Sequence, residues 1–147
     1  MSESSKEDTL AQIMTSPVKT VNSSDELSVA AQKMVKNDIG AVVVVEDKTP
    51  LGILTERDII RQVLKGNNVL RKPAEKVMSK PLVTATPGTS IEDAFELMLR
   101  NKIRRLPVLE GNKLVGIVTE RDLMRWVLRV SYEPDIPPHI KAILKKA

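Results

Sequence analysis

The chain repeats itself. A shift of 64 positions lays Met14-Thr15-Ser16-Pro17 on Met78-Ser79-Lys80-Pro81, and Gly52-Ile53-Leu54-Thr55-Glu56-Arg57-Asp58 on Gly116-Ile117-Val118-Thr119-Glu120-Arg121-Asp122, with no gap between them. The same register pairs Thr20 with Thr84, Ala30 with Ala94, Met34 with Met98, Asn37 with Asn101, Val44 with Val108 and Arg61 with Arg125. A repeat constrains the architecture before any local argument, because a unit that cannot cover its own apolar faces must be covered by its neighbour. The copies run over 9–66 and 73–130, with 67–72 as the linker and 131–147 as a C-terminal tail outside the repeat.

Periodicity and punctuation give the unit. A short helix at 10–14, matched at 73–78 with proline in its first turn, stops before Pro17 or Pro81. Brief strands follow at 18–21 and 82–85. Ser24-Asp25-Glu26 and Thr89-Ser90-Ile91-Glu92 look like helix starts, and Leu27, Ala30, Ala31, Met34 and Val35 recur at helical spacing, as do Ile91, Ala94, Phe95, Met98 and Leu99. β-Branched runs at 42–45 and 51–54, and their counterparts at 106–109 and 114–118, flank polar turns and read as hairpins. A second helix opens at Thr55 or Thr119 and carries Ile59, Ile60, Val63 and Leu64, or Leu123, Met124, Val127 and Leu128. The fold class is therefore α/β (α+β): two βαββα units. About fifty residues alone bury too little surface, so the two should pack sheet to sheet about a pseudo-twofold axis, leaving two equivalent clefts.

Composition narrows the function. Of 147 residues 41% are hydrophobic and 29% charged, the balance of a globular domain. The longest apolar run, Ala41 to Val45, cannot cross a bilayer. The polar start Met1-Ser2-Glu3-Ser4-Ser5 carries no export signal, so a cytoplasmic protein is expected. There is no cysteine, which removes disulfides, thiol nucleophiles and thiolate metal sites. The one histidine, His139, stands in the proline-rich tail. Catalysis would fall to Glu56, Asp58, Glu120 and Asp122, at helix starts where solvated carboxylates are ordinary, so a binding module is expected rather than an enzyme. A net charge of +4 leaves nucleic acid or scaffolding as the alternative function, but single Phe, Trp and Tyr residues give few platforms for stacking bases.

The segment Gly-h-h-Thr-Glu-Arg-Asp stands where a strand runs into a helix, the place where open α/β sheets hold ligands. Thr55 and Thr119 can cap their helices with Asp58 and Asp122 completing a capping box. The same helix starts offer partial positive charge and N–H groups to a phosphate. A threonine hydroxyl can donate while it caps, and an aspartate there suits two adjacent ribose hydroxyls.

Two units ending in Gly-h-h-Thr-x-x-Asp, each led by Met-x-x-Pro and a threonine-bearing strand, resemble a tandem pair of cystathionine β-synthase (CBS) domains, a Bateman module. The resemblance covers residues 9 to about 130. It implies a ligand-sensing regulatory module, not an enzyme. AMP, ADP, ATP or S-adenosylmethionine would bind between the repeats, with no cofactor or metal required. It further implies a homodimer and an unidentified regulated protein as partner. Carried over by position, it assigns Asp58 and Asp122 to ribose hydroxyls, and Thr55 and Thr119 to ribose or phosphate. Ile53 and Ile117 would lie near the adenine. Thr20 and Thr84, with Ile39-Gly40-Ala41 and Ile103-Arg104-Arg105, would surround base and phosphates. Gly40-Ala41 in one copy faces Arg104-Arg105 in the other, so the cleft lined by the arginines is expected to bind more tightly. The tail, with Ile140, Ile143 and Leu144 opposing Lys141, Lys145 and Lys146, is expected to dock on the body or fray.

Overall fold

A computed structural model describes residues 8–132. Helix α1 (Leu10–Ile13) and strand β1 (Thr20–Asn22) lead to helix α2 (Leu27–Asn37), strands β2 (Ala41–Glu46) and β3 (Thr49–Thr55), and helix α3 (Glu56–Lys65). After 3₁₀ turns at Val69–Arg71 and Ala74–Lys76 come helix α4 (Ile91–Asn101), strands β4 (Arg105–Glu110) and β5 (Lys113–Thr119), and helix α5 (Glu120–Tyr132). The expectations for His139 and the basic tail fall outside the described residues.

Equivalent residues turn the chain in equivalent ways. Helices α2 and α4 end on Asp38 and Lys102, both in the left-handed region at φ 52° and 54°, and the amides of Ile39 and Ile103 reach back 3.0 Å to the carbonyls of Met34 and Met98. That closure satisfies the helix end and aims the chain into the sheet. Strand β2 pairs parallel with β1 and antiparallel with β3. Its Val42, Val43 and Val44 are buried, as unbroken apolar strands require. Asp47 and Lys48, both at positive φ, form the tight turn that suits the twist of a hairpin, and Gly111 serves the second copy.

The two cores match position by position except for one exchange. The first contains Val21, Leu27, Ala30, Met34, Val42, Val44, Leu54 and Ile59, but also Ala74 from the lead of the second copy. The second holds the equivalents Ala85 to Leu123, and also Leu10 from the lead of the first. Backbone bonds fasten the exchange: Ala74 N–H to Asp25 O at 2.7 Å, and Leu10 N–H to Thr89 O at 3.0 Å. The crossing chains go on to pair with the other copy's strands, Thr15 with Ile117 of β5 and Ser79 with Ile53 of β3. The two sequence motifs thus meet physically. Met78 and the Ser79 carbonyl lie over Gly52, where a Cβ would stand 2.6 Å from that oxygen, and the Met14 side chain lies over Gly116. Glycine is required there by close approach rather than by a turn.

Three local expectations need correction. The strand expected at 82–85 shrinks to one bridge, Ala85 with Val108, because Pro107 replaces Val43 and has no N–H to match the bond of 3.2 Å from Val43 to the Lys19 carbonyl. The helix expected at 73–78 is a 3₁₀ turn over Ala74–Lys76. The first long helix takes no side-chain cap from Ser24-Asp25-Glu26, since Asp25 accepts the Asn22 N–H instead, whereas Ser90 caps α4 through the Asp93 N–H. Val35 and Leu99, which share the helical spacing of the core residues, are 82% and 77% exposed.

Candidate functional site

Each Thr-x-x-Asp helix start is a closed capping box. Asp58 Oδ2 accepts the Thr55 N–H and hydroxyl, both at 2.9 Å, and the Asp58 N–H returns 3.2 Å to Thr55 Oγ1. Asp122 and Thr119 repeat the backbone bonds at 2.9 and 3.2 Å. The first amides of α3 and α5, Glu56 and Glu120, donate to the carbonyls of Gly40 and Arg104 at 2.9 Å. Three of the four orphan donors at each start are therefore taken, and the amides of Arg57 and Arg121 remain. The helix start offers a phosphate less than its sequence suggests. Charge for an anion has to come from side chains.

Those side chains arrive from the other repeat. A cavity of about 280 Å³ is lined by Ile53, Thr55, Glu56 and Arg57 of the first copy and by Ser79 and residues 102–105 of the second. Gly40 makes the approach possible, since a Cβ there would stand 2.7 Å from Arg105 Nη2 and 3.3 Å from Glu56 Oε1. Arg104 leans 3.8 Å from Glu120 on its exposed side, a contact that contributes little in water. A separate groove of about 660 Å³ is walled by Pro50 and Leu51 of β3 and by Lys80, Pro81, Leu82 and Thr84. Together the cavity and the groove are lined by five bases (Arg57, Lys80, Lys102, Arg104, Arg105) and one acid, Glu56.

The pseudo-symmetric groove differs. It encloses about 690 Å³ between Pro17, Val18 and Thr20 of the first copy and Leu114 of the second, and its charged residues, Lys48 and Lys113 against Asp47 and Glu110, balance. The Thr20 carbonyl already accepts Lys33 Nζ at 2.6 Å.

Of the residues singled out from the sequence, the arginine cleft brings together Ile53, Thr55, Ile103, Arg104 and Arg105, with Thr84 in the separate groove and Asp58 bonded to Thr55. Gly40 sits beside Arg105, Ala41 is buried at the start of β2, and Ile39 faces a groove between α2 and α3. Ile117, Thr119 and Asp122 line none of these cavities; Asp122 Oδ1 lies 3.7 Å from Arg125 Nη1. Sequence reasoning missed Ser79, Lys80, Lys102 and Arg57. The signal for Ser79 and Lys80 was their place in Met-x-x-Pro, which acquires meaning only once that segment is known to cross to the other copy. Among the described residues no cluster of three or more His, Cys, Asp or Glu side chains could hold a metal, and no helix is long and apolar enough to cross a membrane.

The sequence model of the CBS domain matches twice, over residues 10–65 and 74–129. A CBS domain-containing protein of Bacillus subtilis, YhcV, is 41% identical over 110 residues, 75% of this chain and 79% of that one. A signal-transduction protein with CBS domains from Burkholderia ambifaria superposes with a TM-score of 0.78 at 30% identity, covering 88% of this chain and 98% of its own. The CBS domain pair of MJ0100, solved with 5′-methylthioadenosine and S-adenosyl-L-methionine, gives 0.73 at 26% identity over 80% of this chain and 94% of that pair. CBSX2 in complex with AMP gives 0.73 at 25% identity, over 84% and 98%.

Proposed function

The chain belongs to the CBS-domain family, and from that premise we propose that it is a regulatory module that binds an adenine nucleotide in the arginine cleft and catalyses no reaction of its own. One observation carries the reading: Arg104 and Arg105 of the second copy share a cavity with the capped threonine of the first. The base and ribose would lie along β3 between Leu51 or Ile53 and Leu82, near Thr84. Asp58 would accept from ribose hydroxyls through the oxygen that the capping box leaves over. The phosphates would meet Arg104 and Arg105, whose planar guanidinium groups suit bidentate contact. Neighbours solved with AMP or with adenosyl-sulfur compounds support the ligand class. Five bases against one acid favour AMP, ADP or ATP over S-adenosylmethionine, whose sulfonium brings a positive charge of its own.

Calorimetry with the four ligands tests this. AMP, ADP and ATP should bind. Arg104→Ala or Arg105→Ala should weaken them on the order of tenfold to a hundredfold, since a hydrogen bond to a charged group contributes roughly 1.5–3 kcal/mol. Silence for all four ligands overturns the proposal. Co-crystals with excess AMP should show the arginine cleft filled first; equal filling of both clefts with no arginine near a phosphate would remove the arginines from ligand choice. The output is an altered association with a regulated protein, and the unit that responds is a homodimer formed through the helices. Val35, Ile60 and Leu64 on one side, and Leu99 and Met124 on the other, are exposed apolar residues that a second copy would cover. Light scattering should give twice the chain mass of 16.3 kDa.

A further inference from the structure

Charge is spread unevenly along the chain. Residues 57–72 hold five bases, Arg57, Arg61, Lys65, Arg71 and Lys72, against the single acid Asp58, and this excess equals the net charge of +4 of the whole protein. The remaining sequence is balanced. Asp58 is committed to the capping box, where its carboxylate accepts from Thr55. All five bases are exposed, and among the described residues none of them is in an ion pair.

Folding gathers these bases onto one surface. Arg57, Arg61 and Lys65 recur every fourth residue along helix α3, so they form a single stripe with steps of about 6 Å. The linker returns beside that helix, with Lys72 Nζ donating to Gln62 Oε1 at 3.0 Å, which brings Arg71 and Lys72 alongside its C-terminal half. At the other end Arg57 shares its cavity with Lys102, Arg104 and Arg105. The second copy does not repeat this surface. Its stripe of Arg121, Arg125 and Arg129 is interrupted at the middle, where Arg125 is half-buried and lies 3.7 Å from Asp122.

What such a surface recognises follows from what it lacks. No aromatic residue occurs in 57–72. The stripe therefore offers no platform for the unstacked bases of a single strand, and none of the aromatic anchors of a protein interface, from which lysine is depleted. The backbone of a duplex needs neither. It presents one negative charge per about 1.7 Å of axis, so a row of cations at helical spacing finds a phosphate for each side chain whatever the sequence. We infer that this stripe docks on the phosphate backbone of a nucleic-acid duplex without reading its sequence. The inference does not rest on the nucleotide reading of the cleft.

Fluorescence anisotropy with a labelled, mixed-sequence DNA duplex in a salt series tests it. Five phosphate contacts give a slope of log K against log salt of about −4 to −5. Arg61→Gln and Arg71→Gln should each weaken binding to any sequence and each reduce that slope by about one. Arg129→Gln, on an exposed side chain of the second copy's helix, removes the same charge from the protein and should leave both affinity and slope unchanged. No binding at low salt, or a slope near zero, overturns the inference. An equal loss from Arg129→Gln also overturns it, since the attraction would then belong to net charge and not to this stripe. Poly-L-glutamate that competes as well as unlabelled duplex overturns it in favour of an acidic protein partner. None of the substituted residues lines the arginine cleft, so AMP calorimetry on the unsubstituted protein judges the nucleotide reading separately.

Discussion

Gly52 and Gly116 occupy one motif position in two copies, but their neighbours constrain them unequally. A Cβ on Gly52 would press first on the carbonyl oxygen of Ser79, part of a backbone pairing, while the three atoms nearest a Cβ on Gly116 all belong to the Met14 side chain. Backbone cannot step aside as a thioether can. Gly52→Ala should therefore lower stability by about 1–3 kcal/mol, the usual range for forcing a methyl into a packed site, and Gly116→Ala by less; equal losses in thermal melts would contradict the geometry. The aspartates give a second contrast. Asp58→Ala and Asp122→Ala each remove a capping partner and should each lower stability by about 1 kcal/mol. Only Asp58→Ala should also weaken AMP, on the order of tenfold or more, because only its threonine shares the cavity with the arginines. Glu56, the one acid in that cleft, opposes an anion, so Glu56→Gln should tighten AMP several-fold at low salt and less at high salt; weaker binding would place Glu56 among the ligand's partners. The capping pairs were legible in the sequence because their chemistry is local. That the arginines of one copy stand by the threonine of the other was not legible, because nothing in a linear register says which cleft a side chain enters.

At the scale of elements, one residue explains why the two sheets differ. Val43 donates to Lys19 O, whereas Pro107 in the same position has nothing to donate, and β1 has no full counterpart in the second copy. Pro107→Val is close in size and restores the N–H. Residue 107 should then gain protection from hydrogen exchange, and residues 83–85 should join the sheet as a strand. A freely exchanging amide at 107 would mean that something other than the missing donor keeps this segment apart. The helices and hairpins were legible because each combines a period with a terminator. The exposed faces were not. Val35, Ile60 and Leu64 continue the apolar spacing that buries Met34 and Ile59, and spacing alone cannot distinguish a core contact from an exposed position.

For the molecule as a whole, the exchange of leading segments ties the two copies of a duplicated unit to each other. Neither core is complete within its own stretch of sequence: the first takes Ala74 and the second takes Leu10, at equivalent positions 64 residues apart. The sequence announced the duplication but not the crossing, since both leads match equally well whichever copy they pack on. If each copy were closed on itself, damage to one core would leave the other standing. Because they are crossed, a defect should be shared. Trp126, the only tryptophan, packs against the second core and reports on that half, while far-ultraviolet circular dichroism follows the helices of both. Leu27→Ala removes a fully buried side chain from the first core, and such truncations cost about 2–5 kcal/mol. The expected outcome in urea is that the Trp126 fluorescence and circular dichroism midpoints fall together, by the same amount, with one transition in each. A Trp126 transition that stays at its original midpoint while dichroism shows an earlier step would mean that the halves fold separately, and that the crossing segments decorate two domains instead of fusing them.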